Sequence, residues 1–179
     1  DDIVGSISRK FDAEFILLSG DKDLLQLINN NTSVWLTQKG VSQVGKMDEK
    51  ALLEQFELKP YQIIELKSIM GDSSDNIPGV PGIGQKGAMD LLKEFDNIDN
   101  IYANLDKVPA RYLNKLVSGK EMAYLSHQLA TIKLDVDIPF ALQDCELKLP
   151  FSDQVYFLMK ELDFRSMLAR KDLFTSAPK

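Results

Sequence analysis

GDSSDNIPGVPGIGQKGA, residues 71–88, sets two carboxylates against a glycine-rich turn. Asp72 and Asp75 stand three residues apart, so a helical turn through them projects both side chains from one face. A Pro-Gly turn follows, then Gly82, Ile83 and Gly84, then a run over residues 85–95 with helical spacing of its apolar positions. Glycine frees the backbone for positive φ and lets a phosphate or another backbone come close. The amides just beyond the turn open a helix, where unpaired N–H groups and the helix dipole favour an anion. Acids suited to a divalent cation therefore lie beside a cradle for phosphate. The competing reading of the turn is an ordinary helix corner with glycine at the bend. The doubled Pro-Gly, the Gly-x-Gly and the small Ala88 together are more specific than that.

Towards the N-terminus, residues 1–12 read as an amphipathic helix carrying Ile3, Val4, Ile7 and Phe11. Residues 15–18, FILL, closed by Ser19-Gly20, predict a strand buried on both faces, as in a parallel sheet. Asp21-Lys22-Asp23 lies beyond its C-terminal end, where open α/β sheets collect functional groups. Residues 32–37 predict a second strand with Trp35 in the core, and residues 41–44 a hairpin arm with Lys39-Gly40 in its turn. Beyond Asp48 the pattern is helical. Asp48 caps a helix reaching Phe56, and Pro60 opens another reaching Met70. Further helical segments are predicted over 97–105, 110–117 and 120–132, and Ser152 caps a last amphipathic helix. The expected fold class is α/β, a partial parallel sheet with helices, followed by an all-helical part.

The 179 residues are 44% hydrophobic, enough to bury a core. No apolar run reaches the about 18 residues that span a bilayer, so no membrane partner is expected. Cys145 is the only cysteine, which excludes an intramolecular disulfide and argues against a cysteine-based zinc site. A reducing, cytoplasmic setting is the expectation. The net charge of −6 argues against nucleic-acid binding by bulk charge. Residues 77–133 are nevertheless close to balanced, with bases that include Lys86, Lys93, Lys115 and Lys120. The lone His127 sits among Leu125, Leu129 and Ile132 and reads as structural.

Six aspartates are candidate metal ligands: Asp1, Asp2, Asp21, Asp23, Asp72 and Asp75. Hard cations such as Mg²⁺ take oxygen ligands, usually a few carboxylates with several waters. Two such ions roughly 4 Å apart activate a water and stabilise the leaving oxygen in phosphodiester hydrolysis. Taken singly, each aspartate pair reads more readily as a helix cap or turn former. Asp72 with Asp75 stands out, because Gly71, Ser73 and Ser74 continue no core pattern.

These motifs together resemble the 5′-nuclease family, most closely the 5′→3′ exonuclease domain of bacterial DNA polymerase I and its free-standing relatives. GDSSDNIPGVPGIGQKGA resembles the family hallmark, and Ser19-Gly20-Asp21-Lys22-Asp23 its strand-end motif. Asp1-Asp2 resembles the end of its Glu-Ala-Asp-Asp motif, and YLSHQLATIK at 124–133 and ELDFRSML at 161–168 also match. The resemblance implies a PIN-like nuclease core, of which residues 1–58 are the C-terminal part. It makes residues 59–179 a helical DNA-binding part, with a helix-hairpin-helix at 71–95. It further implies a two-metal (Mg²⁺ or Mn²⁺) phosphodiesterase acting on duplex DNA with a 5′ flap or 5′ end, as a monomer.

Carried over by position, Asp1 and Asp2 join the acidic cluster, with Asp1 nearer one metal. Asp21, Asp23 and Asp75 bind mainly the second metal, and Asp72 completes the set. The main-chain carbonyls of Pro78, Val80 and Ile83 hold a K⁺ ion in the hairpin. That ion and the amides of Gly82, Gly84 and Gln85 grip a phosphate, with Lys86 and Lys93 as further contacts. Such a grip reads no sequence and needs no basic surface.

The chain opens at Asp1-Asp2-Ile3 in mid-helical pattern, which reads as a cut through an element. The family carries an aspartate-bearing first strand, further acids and a basic arch before this point. The chain by itself is therefore expected to cut DNA poorly or not at all. Two other readings stand beside this one. A non-catalytic helix-hairpin-helix DNA-binding module has no need for Asp21, Asp23, Asp72 and Asp75 together. A related metal-dependent ribonuclease of α/β shape has no need for the hairpin.

Overall fold

Three short strands form one mixed sheet. Phe15–Ser19 (β1) pairs in parallel with Thr32–Thr37 (β2), Leu17 opposite Val34, and Val44–Met47 (β3) returns antiparallel to β2. The computed structural model describes residues 1–37 and 43–174, so the turn expected at Lys39-Gly40 lies outside the described residues. Strand β1 was expected to be buried on both faces, and it is not. The order β1-β2-β3 puts it at the sheet edge, where Ile16 and Leu18 are 50% and 57% exposed while Leu17 packs on the core. Past β1 the chain drops into a 3-10 turn, Asp23–Leu27, which buries Leu24, Leu25 and Leu27 beneath the sheet.

The helices are Asp2–Lys10 (α1), Glu49–Phe56 (α2), Gln62–Met70 (α3), Gln85–Phe95 (α4), Ile98–Ala103 (α5), Ala110–Ala130 (α6), Asp153–Glu161 (α7) and Arg165–Leu168 (α8). Asp48 caps α2 as expected, its Oδ1 accepting from the Ala51 amide at 2.8 Å. The two segments expected at 110–117 and 120–132 are one helix, α6. Gly119 does not break it, because its missing side chain is what packing requires: a Cβ there would lie 2.8 Å from Val80 Cγ1. Helix α1 also turns an unexpected face inward. Gly5, Ser6 and Ser8 are buried while Ile3 and Val4 are exposed. A Cβ on Gly5 would meet Ile132 and Leu134 at 2.8 Å, and Ser6 Oγ accepts from the Val136 amide at 3.0 Å, so the small face docks on the segment after α6.

Contacts group the chain into two units, Asp1–Ile138 and Pro139–Lys179, and the boundary expected at 58/59 lies inside the first. In the first unit the 3-10 turn, the sheet and α3 to α6 share one core around Leu25, Val34, Ile69, Leu91 and Leu116. In the second, α7 and α8 pack together and Tyr156 meets the edge of Phe174 at 5.3 Å. Among the described residues no helix is long and apolar enough to cross a membrane.

The buried Glu65 joins three helices. Its Oε2 accepts from the Ile98 amide at 2.8 Å, fixing the start of α5, and its Oε1 meets His127 Nε2 of α6 at 3.3 Å. That hydrogen bond to Glu65, opposed by burial, holds the His127 pKa above its ordinary 6.5, with Asp99 adding to the rise. A raised histidine pKa stabilises the fold fully below pH 6.5 and loses that contribution as pH climbs through the folded value. His127→Gln is therefore expected to cost stability at pH 6 and almost none at pH 9. The side chain is 38% exposed, so the cost is about 0.5 kcal/mol after screening. Urea midpoints of both proteins at the two pH values check this.

Candidate functional site

Three aspartates far apart in sequence meet at the end of β1. Asp23 opens the 3-10 turn after the strand, Asp72 starts the turn after α3, and Asp75 lies within it. That turn is not helical. The Asp72 amide donates to the Ile77 carbonyl at 2.9 Å and the Ile77 amide to the Asp72 carbonyl at 2.8 Å, closing a tight loop in which Asn76 takes a positive φ of 56°. One carboxylate oxygen from each of Asp23, Asp72 and Asp75 lies within 4.8 Å of the others. Asp21 lines the same cavity of about 540 Å³, and its Oδ1 accepts from the Asp23 amide at 2.8 Å.

Lys67 stands in the middle of this cluster and was not foreseen. Its Nζ lies 2.6 Å from Asp23 Oδ2, 2.6 Å from Asp72 Oδ2 and 3.2 Å from Asp75 Oδ2. The sequence did carry a signal: in QIIELKSIM a lysine sits four residues after Ile63 and three before Met70, on the packed face of α3. A cation buried there demands carboxylates. The Lys67 side chain is 11% exposed.

Burial alone would lower the Lys67 pKa, but hydrogen bonds to Asp23 and Asp72 outweigh it and raise it, so the ammonium stays charged. Those same bonds, with the Ser74 hydroxyl donating to Oδ1, hold Asp72 down at about 2. Asp23 moves the other way. Desolvation raises its pKa beyond what Lys67 restores, and the charges of Asp21 and Asp75 add to the rise. Four aspartates against two lysines, Lys22 and Lys67, leave the cavity net negative. Several carboxylate oxygens within reach of one point suit a hard divalent cation. The ammonium of Lys67 occupies that point here.

Asp1 and Asp2 lie outside this cluster. Asp1 accepts the Gly5 amide at the start of α1, and Asp2 Oδ1 accepts the Lys133 amide at 3.0 Å.

The glycine turn adjoins the acidic cavity, and both Asp72 and Gln85 line the acidic cavity and the one beside Pro78. Gly79 (φ 63°) and Gly82 (φ 81°) take left-handed conformations. The Gly79 amide donates to Ser126 Oγ at 2.8 Å, tying the turn to α6, and the Val80 amide donates to the Ile69 carbonyl at 2.7 Å. The Val80 carbonyl also accepts from the Ile83 amide at 3.1 Å.

Gly84 differs from the other two. Its φ is −91°, it precedes α4 with no side-chain cap, and a Cβ there would meet nothing within 4 Å. Neither backbone strain nor packing demands glycine at 84, and its effect is to leave the first amides of α4 bare. Lys86 is exposed in the first turn of α4. Lys93 lies farther down that helix, its Nζ 2.9 Å from Glu57 Oε2.

Residues 58–153 match the family model described as 5′-3′ exonuclease, C-terminal SAM fold. The chain is 38% identical over 176 residues to the DNA polymerase I of Bacillus caldotenax, a match covering 96% of this chain and 20% of that protein. It is 41% identical over 158 residues to the 5′-3′ exonuclease of Buchnera aphidicola, covering 83% of this chain and 54% of that one. The chain thus spans about a fifth of the polymerases it matches. Among solved structures, T5 5′-exonuclease with bound zinc superposes with a TM-score of 0.59 at 28% identity, over 72% of this chain and 46% of that one. The catalytic core of Rad2 in complex with DNA substrate shares the fold at 18% identity (TM-score 0.52), over 87% of this chain and 53% of that one.

Proposed function

The chain belongs to the 5′-3′ exonuclease family, and from that membership we propose that it is part of a structure-specific 5′ nuclease hydrolysing DNA phosphodiesters with divalent metal ions. The observation that carries this reading is the shared wall: Asp72 and Gln85 border both the carboxylate cavity and the cavity beside Pro78, at the entry to the glycine turn. A DNA backbone held by the turn therefore runs past the aspartates.

Asp23, Asp72 and Asp75, with Asp21 beside them, are the residues that hold Mg²⁺ or Mn²⁺. A bound pair of such ions supplies an activated water and stabilises the leaving oxygen. The segment from α3 through the turn to α4 acts as a helix-hairpin-helix. The amides of Gly84 and Gln85 bind a phosphate, and the carbonyls of Pro78, Val80 and Ile83 hold the K⁺ ion. The substrate is duplex DNA with a 5′ flap or 5′ end, bound by a monomer in the cytoplasm. With three carboxylates gathered and Lys67 among them, the chain alone binds DNA but cuts it slowly.

A second reading, a non-catalytic DNA-binding module, draws on Lys67, whose ammonium already satisfies the aspartates. The paired substitution Asp72→Asn/Asp75→Asn separates the two. Under the nuclease reading it abolishes Mn²⁺ binding measured by calorimetry and leaves affinity for a labelled 5′-flap duplex unchanged or raised. A wild-type chain that takes up no Mn²⁺ sinks the nuclease reading and leaves the module. Rapid Mg²⁺-dependent flap cutting by this chain overturns the slow-cutting account.

A further inference from the structure

Lys115, on α6, reaches across to the glycine turn. Its Nζ donates to the Gly82 carbonyl at 2.8 Å, and a Cβ on Gly82 would lie 3.3–3.5 Å from Lys115 Cε, Nζ and Cδ. The end of the lysine thus rests against the place a side chain at 82 would take. Helix α6 is pinned laterally at the same place, with Gly119 against Val80 and Tyr112 against Gly87.

Of the other cations nearby, Arg111 pairs with Asp90 at 3.2 Å and Lys93 with Glu57 at 2.9 Å, while Lys86 is exposed in the first turn of α4. Lys115 has no ion-pair partner among the described residues. A carbonyl takes one of its three N–H groups and cancels none of its charge. An exposed lysine normally wanders, and holding it still costs rotamer entropy. Here it is bonded to the carbonyl of Gly82, two residues before Gly84 at the uncapped start of α4.

We propose that Lys115 is the side-chain half of the phosphate grip at the glycine turn, its ammonium held beside the bare α4 amides by the Gly82 carbonyl. Its partner is a phosphodiester of duplex DNA, so the inference rests on the DNA reading above. It explains how a chain of net charge −6 presents a fixed positive point where backbone amides already face outward.

The test is fluorescence anisotropy of a labelled DNA duplex with the full chain, in chelator, over a series of salt concentrations. Lys115→Ala is expected to weaken binding about tenfold and to reduce the slope of log affinity against log salt by about 0.9, the signature of one lost phosphate contact. Lys115→Arg keeps the slope. Lys120→Ala, on the same helix but over the Tyr102 ring, matches wild type. A Lys115→Ala protein that binds with wild-type affinity and slope overturns the proposal. So does one that loses affinity with the slope unchanged and a lowered melting temperature, which marks a packing role. A wild-type chain that binds no duplex overturns the DNA reading itself, and the inference with it.

Discussion

Alanine at position 79 is expected to unfold the glycine turn and cost at least about 4 kcal/mol of stability, a loss confined to a short list of mechanisms. Two of those mechanisms act together here. The φ of 63° is left-handed, which costs an L-residue roughly 1–2 kcal/mol. The added Cβ would also lie 2.2 Å from the Gly71 amide nitrogen and 2.6 Å from the Met70 carbonyl carbon, and neither is the flexible end of a side chain. The end of α3 must move away, taking with it Asp72 and the bond from the Gly79 amide to Ser126.

Urea unfolding followed by circular dichroism measures the loss, and Gly84→Ala is the counterpart. Its φ of −91° is ordinary and its Cβ meets nothing, so its stability changes by about 1 kcal/mol or less. The methyl group nevertheless covers the start of α4, and affinity for duplex DNA falls. Wild-type stability in Gly79→Ala would refute the backbone account. Undiminished DNA binding in Gly84→Ala would remove the α4 amides from the grip.

Lys67→Met is expected to act through charge. With the ammonium gone, Asp23, Asp72 and Asp75 face one another without compensation. Removing one partner of a buried ion pair costs 3–5 kcal/mol, but Asp75 is 51% exposed, so about 2 kcal/mol is expected here. The loss has a specific remedy. Millimolar Mg²⁺ or Mn²⁺ supplies the missing positive charge, so the melting temperature of Lys67→Met rises with metal by more than that of wild type, where the ammonium competes for the place. Melts in chelator and in MgCl₂, run side by side, decide it. Equal melting temperatures in chelator, or a variant indifferent to metal, would show that the aspartates do not converge as described.

Elements governed by short-range preferences were legible from sequence. The Asp48 cap, the α4 helix after its turn and the strand preceding Asp21 follow from capping, periodicity and an apolar run. Misreadings arose where packing overruled local pattern. The segments expected at 110–117 and 120–132 run on as one helix, with Gly119 a contact between them; the stripe of Ile3 and Val4, expected on an amphipathic helix, is exposed, because Gly5 and Ser6 allow a closer approach to residues 132–136. Strand β1 carries the composition of a central strand but lies at the edge of the sheet.

From the residue order alone came the existence of the glycine turn, the need for positive φ within it and the identity of the acids, since each depends on neighbours a few positions away. Tertiary structure alone decided which acids meet. Asp23 and Lys67 are 44 residues apart, and only the packing of α3 against the 3-10 turn brings ammonium to carboxylate while leaving Asp2 to bind the Lys133 amide. Electrostatic attraction acts over ångströms, and the chain's path through the core, built from apolar burial, sets those distances.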